Sequence, residues 1–392
     1  MAAVDRVTHK GALCQIIQKG KTYMARIENT TRAFGSVCRY IQGPGEINRL
    51  KDHMAEFGKR GYALIDEAVF DELKEKLDAP DKSGVTVACG KFSGEVTEQL
   101  LIDETEKARK TDADCVVGIG GGKAVDAAKV IAGELKVPTI LVPSIASTDA
   151  PVASMSVVFE EDGTQKRIIR FLDCPEIILV DTDIIVNAPA RYFSAGIGDA
   201  LATCYEAKAS AASDHQNFVG PGYRKTLAGV AICEACERTV WEKGVSALRA
   251  VEKHLCTPDV EDVIEANTLL SGLGFINVGL GGAHATNTGL TVLSETSDTL
   301  HGELVAFGVI VQFIIEQRPE SEMNALLTLL EDLRLPTTLR QLGINEMTQD
   351  MLGRVCAKAA SGFWSRSPIL VTEKMIGDAI MMADELGKQH RR

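Results

Sequence analysis

Two groups of residues in this chain are of types that do chemistry. The first is local: Gly118, Gly120, Gly121 and Gly122, followed by Lys123, lie within VVGIGGGKAVDAAK at 116–129. Glycines lack a Cβ, so the backbone can adopt positive φ and approach a ligand, with its N–H groups and a new helix's N-terminus facing it. Such a turn suits an anion. Lys123 adds a positive charge where the helix dipole alone would disfavour one, which makes sense beside a phosphate. A tight turn without a ligand is the plainer alternative. A Walker loop is excluded, because it needs glycine where Val117 stands and Ser or Thr at Ala124. The Rossmann fingerprint fails too, since its third glycine would fall on Lys123.

The second group is dispersed. Asp199 stands in AGIGDALAT and is expected to begin an apolar helix; His284 follows Gly281-Gly282-Ala283; His301 opens HGELVAFGVIVQF. Each sits in an apolar, Gly- and Ala-rich setting, where burial without a partner is costly. Singly, each could be a satisfied core group or a helix cap. Together, two imidazoles and a carboxylate are the ligand set of a catalytic zinc site that keeps a position for water or substrate. Their spacing does not say whether they converge.

The elements that must position these residues change character along the chain. Strand candidates at 38–41, 61–65, 85–88, 115–117 and 138–142 alternate with helical patterns at 46–57, 67–77, 97–110 and from Ala124 onward. That alternation predicts βαβ units and a mainly parallel sheet, whose ligands sit at the carboxyl ends of the strands. Asp66 ends one of these strands, where an acid can hold a ribose diol or merely close the strand. Directly after 138–142 runs PSIASTDAP, whose Ser144, Ser147, Thr148 and Asp149 could bind a polyol or a nicotinamide ribose, or could satisfy backbone groups in a turn. Residues 153–158 and 167–180 read as further strands, with Gly163 in the hairpin between them.

Beyond residue 188 the sequence becomes Ala-, Leu- and Glu-rich with helical periodicity. Three segments follow: a flexible, basic extension at 1–33, an α/β nucleotide-binding domain at 34–188, and an all-α metal and substrate domain at 189–392. The extension also admits an organelle presequence, or a natural start at Met24. A chain of 392 residues is long enough for two such cores. Its net charge of −12 argues against nucleic acid or an anionic membrane as the main partner. No apolar run approaches membrane-spanning length. Ten cysteines without a signal-peptide pattern read as reduced thiols of a cytoplasmic protein, organelle targeting by 1–33 aside. Cys233 and Cys236 form a lone C-x-x-C in a helical context, which reads as buried structure and not as a zinc or redox pair. Composition therefore favours a small-molecule enzyme, and paired helical faces in the second half point to a homo-oligomer.

Taken in order, GIGGGKAVDAAK, SIASTDAP, AGIGDALAT, EANTLLSGLGF, GGAHATNTGL and HGELVAFG resemble the glycerol dehydrogenases of the iron-containing alcohol dehydrogenase superfamily. The resemblance implies a dehydroquinate synthase-like architecture, with NAD and a metal in a cleft between the two domains. It implies zinc on Asp199, His284 and His301, and Asp149 on the substrate. It assigns NAD contacts to Asp66, Gly120, Gly121, Gly122, Lys123, Asp126, Ser144 and Ser147, with Met155 and Phe159 towards the nicotinamide. Thr203 stands where iron-dependent relatives carry a further histidine, which favours zinc. The expected reaction is oxidation of glycerol or a related vicinal diol to the hydroxyketone, dihydroxyacetone in the case of glycerol. Departures from the family pattern are Ala153 and Phe159 for Ser and Tyr, Ser144 for Thr, Asn287 for a second histidine, and Arg170 and Asp173 for neutral residues. Rival readings are a lyase or a glycerol-phosphate dehydrogenase of the same architecture, or a non-catalytic NAD-binding regulatory protein. The first two need cations for a substrate phosphate, for which only Arg167 and Arg170 present themselves.

Overall fold

The computed structural model describes residues 30–161, 163–171, 173–213 and 215–390. Residues 1–29 of the expected extension lie outside them, while the backbone of Thr31 and Ala33 is paired with Arg224 of the second half. Eight strands occur among the described residues: β1 (Arg39–Gly43), β2 (Arg60–Asp66), β3 (Thr86–Phe92), β4 (Cys115–Gly120), β5 (Thr139–Pro143), β6 (Met155–Phe159), β7 (Gln165–Arg170) and β8 (Ile177–Asp181). Six of them form one all-parallel sheet in the order β1-β8-β5-β4-β2-β3, and β6 and β7 form an antiparallel hairpin.

The expected strand at 167–180 is thus two elements. Cys174-Pro175 interrupts it, the part before completing the hairpin and the part after entering the sheet between β1 and β5. Proline supplies no N–H to a ladder, which accounts for the break.

The first-half helices are α1 (Leu50–Met54), α2 (Phe70–Asp78), α3 (Glu98–Lys110), α4 (Gly122–Leu135) and α5 (Thr182–Asn187). The helical half comprises α6 (Ala190–Ser213), α7 (Leu227–Val251), α8 (Pro258–Glu265), α9 (Ser271–Asn277), α10 (Gly282–Leu290), α11 (His301–Ile315), α12 (Glu320–Asp332), α13 (Gln349–Ala360) and α14 (Glu373–His390). A π turn, Ala266–Leu270, joins α8 to α9.

Alternate residues of the central strands enter two separate cores. Val117, Ile119, Ile140, Val142, Ile177 and Leu179 pack under α1 and α2. Val116, Leu141, Ile178 and Val180 face the other way, into a core continuous with α4 and the helical half. A parallel strand buried on both faces is therefore apolar throughout, as β4 and β5 are. This continuity seats the carboxyl edge of the sheet against α6 and α9. Among the described residues no single helix is long and apolar enough to cross a membrane.

Candidate active site and metal centre

Asp199 lies in the middle of α6, not at a helix start as its glycine-rich surroundings suggest. Those glycines serve close packing instead. A Cβ on Gly196 would fall 1.8 Å from the Ala146 carbonyl oxygen, and one on Gly198 would fall 2.5 Å from that of Gly302. Without side chains there, α6 presses against the loop after β5 on one side and the first turn of α11 on the other. That contact carries Asp199 to His301.

His284 comes from the first turn of α10, and the ligand atoms of Asp199, His284 and His301 all lie within 4.8 Å of one another. Nε2 of His284 is 3.2 Å and Nε2 of His301 3.5 Å from Asp199 Oδ1. Both carboxylate oxygens are buried and accept no hydrogen bond. Burial alone would raise the pKa of Asp199, but the two imidazoles outweigh it and hold the carboxyl well below its ordinary range. An anion so placed calls for a cation, and two imidazole nitrogens with one carboxylate oxygen suit a divalent metal with an open position.

Each imidazole is held from behind. Glu206, two turns along α6 from Asp199 and fully buried, accepts the His284 backbone N–H and lies 2.6 Å from His284 Nδ1. Burial works to lower the His284 pKa, yet the Glu206 and Asp199 carboxylates raise it well above its ordinary value. Asn287 stands 3.2 Å from His301 Nδ1 through its carboxamide, whose oxygen is otherwise buried without a partner. Turned so that this oxygen faces the ring, Asn287 accepts Nδ1–H and leaves the Nε2 lone pair for a metal. Both residues thus fix a tautomer, the usual task of groups behind a metal-binding histidine.

Asp149 faces this group from the loop after β5. Ser271, at the start of α9, donates to Asp149 Oδ2 at 2.8 Å, and its oxygen lies 3.1 Å from Thr203 Oγ1. Thr203 itself donates to the Asp199 carbonyl one turn back. Burial first, and the Asp199 charge second, push the Asp149 carboxyl up to about 7. Asn267 in the π turn donates to the Ala146 and Phe193 carbonyls and so ties this loop to α6.

The remaining predicted contacts gather at the sheet edge. Asp66, Gly120 and Ser144 leave neighbouring strands at the same end, and the Ser144 N–H bonds the Gly120 carbonyl at 3.0 Å. Gly120 has φ 152°, and the N-cap of α4, Gly121, has no side-chain cap. The loop holding Ser147 folds over the turn, with Ile145 and Thr148 closing on Gly121 and Gly122. Lys123 is drawn sideways into an ion pair with Glu95. Met155 and Phe159 flank the hairpin strand β6, half-buried.

Asp126, expected as a cofactor contact, has partners within the protein. Its carboxylate accepts the Val157 N–H at 2.9 Å and pairs with Lys129 at 2.8 Å. Lys129, almost fully buried, donates to the carbonyls of Ala150, Ala153 and Met155. The two clamp the hairpin onto α4. Glu206, Ser271 and Lys129 are absent from the sequence-based set. An acid seven residues after Asp199 was the one available signal for Glu206, because seven residues return to the same helix face.

A doubly covered parallel sheet with an uncapped helix at its carboxyl edge, joined to a helical half with two imidazoles on a buried carboxylate, defines a class of alcohol oxidoreductase. The model of the family described as "Iron-containing alcohol dehydrogenase" matches residues 38–182. The glycerol dehydrogenase of Thermotoga maritima is 38% identical over 90% of this chain and 97% of that protein. The glycolaldehyde reductase of Halobacterium salinarum is 36% identical over 92% of this chain and 99% of its own length. The crystal structure of a probable glycerol dehydrogenase from Sinorhizobium meliloti superposes with a TM-score of 0.87 at 37% identity, over 92% of this chain and 100% of that one. The chain belongs to the iron-containing alcohol dehydrogenase family and is an NAD-dependent alcohol oxidoreductase.

Proposed function

We propose that this enzyme oxidises glycerol or a related vicinal diol to the hydroxyketone, with zinc on Asp199, His284 and His301 and with NAD as hydride acceptor. The observation that carries the reading is the buried Asp199 carboxylate, without a hydrogen bond, faced by two imidazole Nε2 atoms. Zinc bound there supplies Lewis-acid polarisation of an alcohol oxygen and lowers its pKa. His284 and His301 keep Nε2 available because Glu206 and Asn287 occupy their Nδ1 positions. Asp149, held by Ser271, accepts a hydrogen bond from the hydroxyl next to the reacting carbon. That second contact is what distinguishes a vicinal diol from a simple alcohol. The uncapped N–H groups at the start of α4 bind the cofactor's pyrophosphate, and Asp66 takes its ribose diol. The preference for zinc over iron rests on Thr203, whose hydroxyl is already engaged with the Asp199 carbonyl.

Reduction of NAD⁺ by purified, zinc-loaded protein over glycerol, 1,2-propanediol and other small diols, with a chelated control, tests this reading. Chelator-sensitive turnover of at least one small diol is expected. Turnover that survives chelation sinks the metal assignment, and NAD binding without oxidation of any diol sinks the substrate assignment.

A further inference from the structure

Arg170 ends β7 on the sheet half, and Arg366 lies in the 3₁₀ turn Phe363–Arg366 of the helical half. Both guanidinium groups lie against the ring of Phe218, at 5.2 Å and 4.3 Å from its centroid. Among the described residues neither comes within ion-pair distance of a carboxylate, whereas Arg167, three residues before Arg170, is paired with Glu98. Arg366 uses one N–H on the Gln216 carbonyl, which leaves most of its donors uncommitted. Burial and the nearby Arg170 charge push the Arg366 pKa down to about 10, against the pull of Glu206, whose two oxygens already serve His284. Although part of the Arg170 side chain is open to solvent, the protein packed around it lowers its pKa as well. Two cations share one aromatic ring without a counter-ion.

The place of the pair relates it to the active site. Phe218 packs on Phe275 and its N–H bonds the Ile276 carbonyl. These residues follow Ser271, the partner of Asp149, by four and five positions on α9, about 6–8 Å along the helix. From the other side, an Arg366 nitrogen would lie 2.8 Å from a Cβ on Gly279, and Trp364 covers Gly282, two residues before His284. Arg170 is also the register partner of Met155. The pair therefore sits where the hairpin meets the helical half, linked to Asp149 through Phe218, α9 and Ser271, and to His284 through Trp364 and Gly282.

We propose that Arg170 and Arg366 form a subsite for an anionic group, a carboxylate or a phosphate, on a substrate whose alcohol end lies at Asp199, His284 and His301. The inference rests on the diol-oxidising reading of that metal site and narrows its substrate class to hydroxy acids or phosphorylated polyols. Two guanidinium groups of fixed placement are the natural recognition elements for either anion, and the ring that orients them limits the entropy lost on binding.

The test compares glycerate and glycerol phosphate with neutral vicinal diols of matched skeleton, as NAD⁺-dependent substrates of the zinc-loaded full chain. The best anionic substrate is expected to exceed its neutral partner by at least roughly tenfold in kcat/KM, mainly through KM. Arg170→Gln and Arg366→Gln each lower that ratio by on the order of tenfold, as loss of a charge-assisted contact implies. Arg170→Lys retains part of it. Thermal melts of the variants report whether the fold survives, and Arg170→Gln, on the more exposed side chain, keeps the question open to test if Arg366→Gln does not fold. An unchanged ratio, or parallel loss on neutral and anionic substrates, overturns the subsite in favour of a structural clasp. Calorimetric titration of glycerol phosphate and of inorganic phosphate onto NAD-loaded wild type and variants separates this result from failure of the metal reading. Binding of glycerol phosphate that the variants lose upholds the subsite even where every neutral diol is inert. Equal affinity for inorganic phosphate overturns it as a substrate site.

Discussion

The glycine turn and the metal cluster are built by opposite means. At the turn the chemistry belongs to the backbone: one short segment supplies strand, turn and helix start, and Gly121 leaves the first N–H groups of α4 without a side-chain cap. In the cluster it belongs to side chains from three helices, gathered on a buried Asp199 whose two oxygens accept no hydrogen bond. An exchange of side chain should therefore be catastrophic in the cluster and graded at the turn, where only added atoms matter.

The largest effect is expected for His284→Ala. It removes one of three ligands and leaves Glu206 buried without its partner, so turnover should fall roughly a thousandfold or more while NADH binding survives. Zinc content, turnover and NADH fluorescence on the same preparation check this. Near wild-type turnover would dissolve the contrast between the two regions.

Glu206→Gln comes next and probes the layer behind the ligands. The glutamate accepts from two N–H groups of His284, and a glutamine must turn its own NH₂ towards one of them. Zinc affinity, measured by chelator competition, should weaken about 10- to 100-fold, in the range found for groups that orient metal-bound histidines. A change below about twofold would reduce Glu206 to a packing residue.

Within the turn, Gly120 and Gly122 should separate. A Cβ on Gly120 meets those of Asp66 at 2.6 Å and Ala124 at 2.7 Å, at φ 152°. On Gly122 the nearest atoms stand at 3.3 Å and 3.5 Å, which is close to ordinary contact. Gly120→Ala is expected to cost about 1–3 kcal/mol of stability and to weaken NAD binding with it. Gly122→Ala should stay within a few tenths of a kcal/mol, with the better helix propensity of Ala as an offset. Thermal melts and NAD titrations of the two variants give the order directly, and equal effects would show that ligand approach, not packing, sets the glycine requirement.

The same contrast explains what the sequence made legible. Local pattern exposed β4, the turn and α4, because strand, glycines and helix filler follow one another within 116–129. It exposed the mainly parallel sheet as well, since strand and helix patterns alternate up to residue 142. It mistook Asp199 for the start of a helix, because Gly196 and Gly198 look like breakers, and only the distant carbonyls of Ala146 and Gly302 reveal them as contacts. The interruption at Cys174-Pro175 was overlooked within an otherwise strand-like run. The engagement of Asp126 with Lys129 and the Val157 N–H was not legible either, because the hairpin that supplies Val157 lies thirty-one residues on. Convergence of Asp199, His284 and His301 has no local signature at all, for it depends on how α6, α10 and α11 pack.

Lys123 should give the smallest effect, and it tests whether charge adds anything to a site made of backbone. Its side chain is 51% exposed and paired with Glu95, and such surface pairs contribute little to stability. Lys123→Ala should therefore leave the melting temperature nearly unchanged. If the side chain swings from Glu95 to a bound pyrophosphate, NAD affinity falls severalfold, and the loss shrinks as salt is raised because an exposed charge is screened. Glu95→Gln separates the contributions: it frees the lysine and should strengthen NAD binding slightly. No change in either variant would mean that the N–H groups of α4 bind the anion without help, which is the pure form of the backbone site.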